Sequence, residues 1–238
     1  MKFYFAGCSH TYGDDLADPT STAWPSVIAQ DYNVDFLNDS ASGGTNERIV
    51  YRAIKNIDQF DKFYIAWTYT TRFTRYRADN NHDVNFNPQL THRLYGNDPN
   101  FVNYGNIHYR TWHNELYATK LWLQNILMLQ RLFESEKKSY VMVNSTTNNL
   151  DRWSSDWQDF NNSVKSLLCF DTMDDGQLYF EHQEIQQLIS KIDTSRFVGW
   201  NSWCLTDECR NYPIGKTGHL LEQGHRATAL HILAHDSN

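Results

Sequence analysis

An α/β fold, with a mostly parallel five-stranded sheet and helices on both faces, is what this chain of 238 residues predicts. Three observations predict it. Short apolar runs alternate with stretches of helical periodicity, in the order strand, helix, strand, helix, strand over the first 68 residues, which is the signature of a parallel sheet. The first apolar run ends in Gly7-Cys8-Ser9-His10-Thr11-Tyr12-Gly13. Small residues on both sides of Ser9 let the backbone turn sharply from strand to helix and leave a hydroxyl at the strand's carboxyl end, where open α/β sheets place their sites. Finally, nothing rich in Pro, Gly or Ser divides the chain, so 1–238 reads as a single domain.

The elements follow in order. Phe3-Tyr4-Phe5-Ala6 is the first strand, and 23–29 a helix with Pro25 in its first turn. Val34-Asp35-Phe36-Leu37 alternates and is short, as a second strand would be. The small-residue loop 40–46 then feeds a helix carrying Ile49, Val50, Ala53, Ile54 and Ile57 at helical spacing. A third strand covers 62–68. From about 69 to 112 periodicity is lost, and Arg, Asn, His and Tyr dominate a stretch longer than most loops in a compact domain. An insertion at a strand's carboxyl end reads either as a lid or recognition element or as a solvated excursion. The segment 114–137 is a long helix with Leu121, Trp122, Ile126, Leu129 and Phe133 on its apolar face. A fourth strand covers 140–144, and an irregular segment with Trp153 and Trp157 follows. A helix at 181–192, a fifth strand at 196–200, a loop at 205–216 and a terminal helix over 227–233, led in by 218–225, complete the order.

Composition excludes several classes. A net charge of -7 argues against nucleic acid as a partner, the basic strip 72–77 being local. No secretory leader opens the chain and no apolar run is long enough to span a bilayer, so a soluble, cytoplasmic protein with no membrane partner is expected. Cys8, Cys169, Cys204 and Cys209 are scattered, and the last two lack metal-ligand spacing; neither a metal nor a cofactor is expected. With 8 Trp and 14 Tyr, many rings lie near the surface, where they line ligand grooves or fill interfaces. Nothing here sets the oligomeric state.

Three separated stretches resemble one family, the SGNH (GDSL-like) hydrolases, whose members are esterases, lipases, acyltransferases and carbohydrate deacetylases. The stretch 7–13 is similar to the first family block, with Ser9 at the nucleophile position and Cys8 where most members carry Asp. Asn38 and the run Gly43-Gly44-Thr45-Asn46-Glu47-Arg48-Ile49 resemble the second block, in which Gly43 would lend a backbone N–H to the oxyanion hole. Gly218-His219 with Gly224-His225 is similar to the last block and places the base on His219. The resemblance implies a flavodoxin-like three-layer α/β/α sandwich. The variant with Cys8 also resembles relatives carried by tailed bacteriophages.

Two departures matter. The family's acid lies three residues before its base, where this chain has Lys216, and Leu220 replaces the usual following proline. The Asn of the third block is also missing: Thr68 falls about there, so its hydroxyl or the nearby Arg72 would substitute. The expectation is a Ser9–His219 dyad that cleaves an ester through an acyl-enzyme, with the Ser9 and Gly43 amides as oxyanion donors. The substrate class expected is a small-molecule or carbohydrate ester, an O-acetyl sugar being the guess, because the loops are rich in aromatic, Asn and Arg side chains. His10, Asn46 and Arg72 are candidates for substrate contact, set against exposure for His10, a helix-steadying role for Asn46 and an ordinary ion pair for Arg72. The competing readings are an idle domain that binds a glycan or protein, and an acyltransferase.

Overall fold

The computed structural model describes residues 1–77, 82–86, 99–113, 115–146, 183–200 and 202–236. Five strands form one sheet in the order β2-β1-β3-β6-β7: β1 (Lys2–Ala6), β2 (Asp35–Asn38), β3 (Lys62–Trp67), β6 (Ser139–Asn144) and the two-residue β7 (Phe197–Val198). Every neighbouring pair is parallel, with Phe3 opposite Phe36 and Lys62, and Tyr64 opposite Phe5 and Val141. β1 and β3 are central and covered on both faces, so both are continuous apolar runs rather than alternating ones.

Successive side chains point to opposite faces and build two cores. Tyr4, Phe63, Ile65 and Trp67 pack beneath α4 (Asn46–Lys55) and the 21-residue α6 (Glu115–Ser135), through Ile49, Trp122, Ile126 and Phe133. Phe3, Phe5 and Tyr64 face α3 (Trp24–Tyr32) and α8 (Glu222–Asp236), through Trp24, Ile28, Ala229 and Ile232. The Phe5 and Tyr64 rings stack at 4.7 Å. Each large apolar side chain sealed in this way contributes about 1.5–3 kcal/mol, so the sheet is held rigidly from both sides.

The expected layers are therefore present, with local corrections. Between 69 and 112 the chain is not irregular throughout. It forms a hairpin of β4 (Phe73–Arg77) and β5 (His82–Phe86), then α5 (Pro99–Ile107) and one π-helical turn (His108–Trp112). Stacked Phe73 and Phe86, 4.6 Å apart, form its own small core, which polar neighbours conceal from a search for period. The helix expected at 181–192 is α7 (Gln183–Ile189), and the fifth strand is shorter than expected. α8 begins at Glu222, so Gly224 and His225 lie inside the helix rather than ahead of it. Trp153 and Trp157 fall outside the described residues. Among the described residues, no helix is long and apolar enough to cross a membrane.

Candidate active site

The carboxyl ends of β1, β3 and β6 share one edge of the sheet, and Ser9 stands there. It is the first residue of the single-turn helix α1 (Ser9–Tyr12), entered from Cys8 in extended conformation and left through Gly13 at φ 96. Cys8 is fully buried, whereas Ser9 keeps 5% of its surface. As openers of a helix, the Ser9 and His10 amides have no intrahelical acceptor. The loop after β2 is stitched alongside: Asp39 N–H donates to the Phe5 carbonyl (2.8 Å) and Ala41 N–H to that of Gly7 (3.3 Å). Gly44 packs so tightly that a Cβ would stand 2.8 Å from the Gly7 oxygen and 3.0 Å from that of Ala41, leaving glycine alone to fit. Gly43, at φ 68, borders open space, and its N–H has no acceptor among the described residues.

The loop after β3 is tied to the same place. Asn46 donates through Nδ2 to the Thr68 carbonyl (3.0 Å) and accepts from Thr68 N–H (2.9 Å), which clamps the start of α4 to the end of β3. Thr45, not Asn46, caps that helix, its hydroxyl accepting from Arg48 N–H. The Arg72 guanidinium donates through Nη1 to the Thr68 hydroxyl (2.9 Å) and the Gly44 carbonyl (3.3 Å). Arg72 is 9% exposed and has no carboxylate partner among the described residues, so it is a buried fixed charge rather than a surface ion pair.

His219 arrives from the far end of the chain, on a loop pinched by the bridge between Ile214 and Leu220. Its ring lies 4.5 Å from that of His10, the residue after Ser9. Asp15, just past α1, grips the incoming loop: Oδ2 accepts from Thr217 N–H (2.9 Å), the Thr217 hydroxyl (2.8 Å) and His219 N–H (3.3 Å). Thr217 Oγ1 is 2.8 Å from His219 Nδ1, and Asp15 Oδ2 is 3.7 Å from that nitrogen. Lys216, at the register of the family's acid, is exposed.

Electrostatics set the protonation states. Burial, followed by the charges of His219, Arg72 and His225, holds His10 well below the usual imidazole range. Burial pushes His225 down to about 4, with His219 adding to it, and its Nδ1 accepts from Trp24 N–H (3.2 Å). His219 is lowered by burial and Arg72 but supported by Asp14 and Asp15. The buried Arg72 guanidinium acts on both His10 and His219, so a positive charge lies within reach of this edge and would favour negative charge developing beside it, while Asp14 and Asp15 offset it on the His219 side.

The structure thus gathers Ser9, His10, Gly43, Arg72 and His219, and turns Asn46 and Thr68 toward each other. Among the described residues the Ser9 hydroxyl has no hydrogen-bond partner. Thr68 is fully buried, with its hydroxyl accepting from Arg72, and both ends of the Asn46 amide are taken by the Thr68 backbone. Sequence reasoning missed Asp15, Thr217 and the link from His225 to Trp24. Their one available signal was proximity in sequence to Ser9 and to His219. The insertion reaches the edge through Arg72, while its hairpin leans on α4, where Thr74 N–H donates to Glu47 (2.6 Å). A cavity of about 120 Å³ lies behind it, lined in part by Asn46, Arg72, Arg75, His108 and Trp122. Among the described residues, no group of three His, Cys, Asp or Glu side chains could hold a metal ion.

Several solved structures are similar to this chain. TesA superposes over 99% of this chain and 97% of its own, with a TM-score of 0.52 and 10% identity. The psychrotrophic esterase EstA from Pseudoalteromonas sp., in a structure inhibited by monoethylphosphonate, matches over 99% and 96%, with a TM-score of 0.49 and 9% identity. A member of the lipolytic protein G-D-S-L family from Veillonella parvula DSM 2008 matches over 98% and 96%, with a TM-score of 0.45 and 14% identity. No family model matches the sequence, and none of the curated proteins does. At such identities the likeness is one of fold: the chain has the three-layer α/β/α fold of the SGNH hydrolases.

Proposed function

We propose that the chain is a hydrolase of ester bonds that works through an acyl-Ser9 intermediate, with His219 as general base and then acid. The observation that carries this reading is the delivery of His219, by Asp15 and Thr217, to the first turn of α1, where Ser9 is the neighbour of His10. A serine hydroxyl is nearly inert at neutral pH and needs a base to accept its proton. As Ser9 Oγ bonds to the ester carbon, its proton passes to His219 Nε2. The carbonyl oxygen becomes an oxyanion, met by the Ser9 and Gly43 amides within the field of Arg72. When the intermediate collapses, the carbon–oxygen bond to the leaving alcohol breaks and Nε2 returns the proton to that oxygen. Water then repeats the sequence and frees the acid and Ser9.

The substrate proposed is a carbohydrate ester, an O-acetyl group in particular, because the loops are rich in aromatic, Asn and Arg residues and, among the described residues, no long apolar lid covers this edge. The competing reading is an idle domain that binds a glycan or protein, favoured by the Ser9 hydroxyl having no partner among the described residues. Transfer of the acyl group to an acceptor other than water would share the same intermediate. Covalent labelling with a fluorophosphonate separates the first two readings. Labelling of Ser9, located by mass spectrometry and lost in His219→Ala, is the expected result. Folded protein that stays unlabelled, and that hydrolyses a short-chain nitrophenyl ester no faster than Ser9→Ala, would overturn the hydrolase reading and favour the binder.

A further inference from the structure

We infer that Asp15 is the positioning carboxylate of this site, acting on His219 through the hydroxyl of Thr217. The inference rests on the reading of His219 as base, and it answers what replaces the acid absent at Lys216. The argument is one of proton accounting. The hydrogen bonds from Thr217 and His219 and the imidazole's charge outweigh the effect of burial and hold the Asp15 carboxyl below its ordinary range, so at neutral pH it only accepts. Thr217 has one hydroxyl proton. It points to Asp15 Oδ2, so toward Nδ1 the oxygen offers only a lone pair. Nδ1 must then carry a hydrogen, and Nε2 keeps the free pair that a base needs. Asp14, Arg72 and His10 also face the ring and supply charge or packing, but it is Thr217 that hydrogen-bonds Nδ1.

The backbone is shaped for this contact at both ends of the chain. Asp15 is held at φ 71, a left-handed conformation that is unfavourable for a non-glycine residue and that Asp tolerates better than most. Opposite it, a Cβ on Gly215 would stand 2.4 Å from the Asp15 Cβ and 2.7 Å from its Oδ2, so only glycine lets the carboxylate in. The 3.7 Å separation of Oδ2 from Nδ1 also lets the carboxylate stabilise the imidazolium that forms when Ser9 is deprotonated.

Nitrogen-15 NMR of the His219 ring tests the inference without reference to activity. Wild type is expected to show the Nδ1–H tautomer near neutral pH. Thr217→Val is expected to admit the Nε2–H form, and Thr217→Ser to restore the wild-type spectrum. Asp15→Asn keeps a carbonyl for the three donors but removes the charge, so His219 is expected to titrate lower and Ser9 to label with fluorophosphonate roughly 10²-fold more slowly; amidating the triad acid of a well-studied protease cost about 10⁴. Lys216→Ala is expected to label at the wild-type rate. An Nε2–H tautomer in the wild type, or a spectrum unmoved in both Thr217→Val and Asp15→Ala, would overturn the inference. If wild type shows the expected tautomer yet never labels, the hydrolase reading fails while the role of Asp15 in setting the ring stands.

Discussion

The two edges of the sheet are built on opposite terms. At the amino edge, where β3 begins and α8 ends, four polar side chains pair with one another. Lys62 Nζ donates to both Asp236 oxygens (2.6 and 2.5 Å), Tyr64 OH and Tyr32 OH donate to Oδ2 (2.7 and 3.0 Å), and the ammonium lies over the Phe3, Tyr32 and Tyr64 rings. At the carboxyl edge, buried polar atoms lack partners among the described residues: His10 Nδ1, Ser40 Oγ, Arg72 Nε, Asn144 Oδ1, Ser145 Oγ and His225 Nε2. A buried polar atom left without any partner costs about 1–3 kcal/mol. One edge is a clasp, and the other gives up stability for a polar surface where open α/β sheets hold their ligands. The edges also answer to opposite ends of the pH scale. Burial and Asp236 push Tyr32 up to about 12 and raise Tyr64 further, so what they contribute is present below pH 10 and is lost as pH rises toward the folded values. The histidines of the carboxyl edge respond to acid.

The contrast can be broken experimentally, and the largest effect is expected at the clasp. Asp236→Ala leaves Lys62 buried without a counter-charge and should cost about 3–5 kcal/mol in urea unfolding, with the labelling rate of the folded fraction unchanged. Lys62→Met with Asp236→Leu should recover most of that loss, since a buried ion pair often does no better than well-packed apolar side chains. A loss of labelling in either variant would show the edges to be coupled.

Acid should unfold the protein from the other edge. His10, His219 and His225 are neutral when folded and bind protons more readily when unfolded, so stability is full above about 6.5 and falls as pH drops through the folded values, about 4 for His225. His225 alone accounts for on the order of 3 kcal/mol of this. The urea midpoint of His225→Gln should therefore vary less between pH 7 and pH 4.5 than that of wild type. An equally steep loss would place the acid response elsewhere.

Gly44→Ala is expected to cost roughly 1–3 kcal/mol, because its Cβ must push the Gly7 carbonyl aside. Its loss of labelling should exceed what that stability change explains, since the loop carrying Gly43 shifts with it. Tyr32→Phe should have the smallest effect, about 0.5–1.5 kcal/mol in urea midpoint analysis, because Asp236 keeps Lys62 and Tyr64. It should also flatten the stability curve above pH 10.

Much of this was legible in the residues. The apolar runs that became β1, β3 and β6 are continuous because those strands are covered on both faces, and such a pattern survives without tertiary knowledge. Phe73 and Phe86 were hidden because their hairpin is too small to impose alternation on its polar neighbours. The start of α8 was placed late because Gly224 and His225 look like loop residues. Yet Gly224 packs against Leu220, and His225 accepts from the first amide of α3. Asn46 was read as capping or steadying its helix, with substrate contact as the lesser option; Thr45 is the cap, and the Asn46 amide ties the start of the helix to the Thr68 backbone.

The order of the five sheet strands and of the helices that cover them was legible in the sequence by itself, because periodicity writes each in consecutive residues; small neighbours mark the turn at Ser9, whereas Gly43 and His219 stood out only through the resemblance of their blocks. Only the tertiary structure brought Asp15 and Thr217 to the His219 ring. Asp15 and Thr217 lie 202 positions apart. Their contact depends on a left-handed aspartate and on a glycine that leaves room for its carboxylate, and neither leaves a periodic trace in the chain.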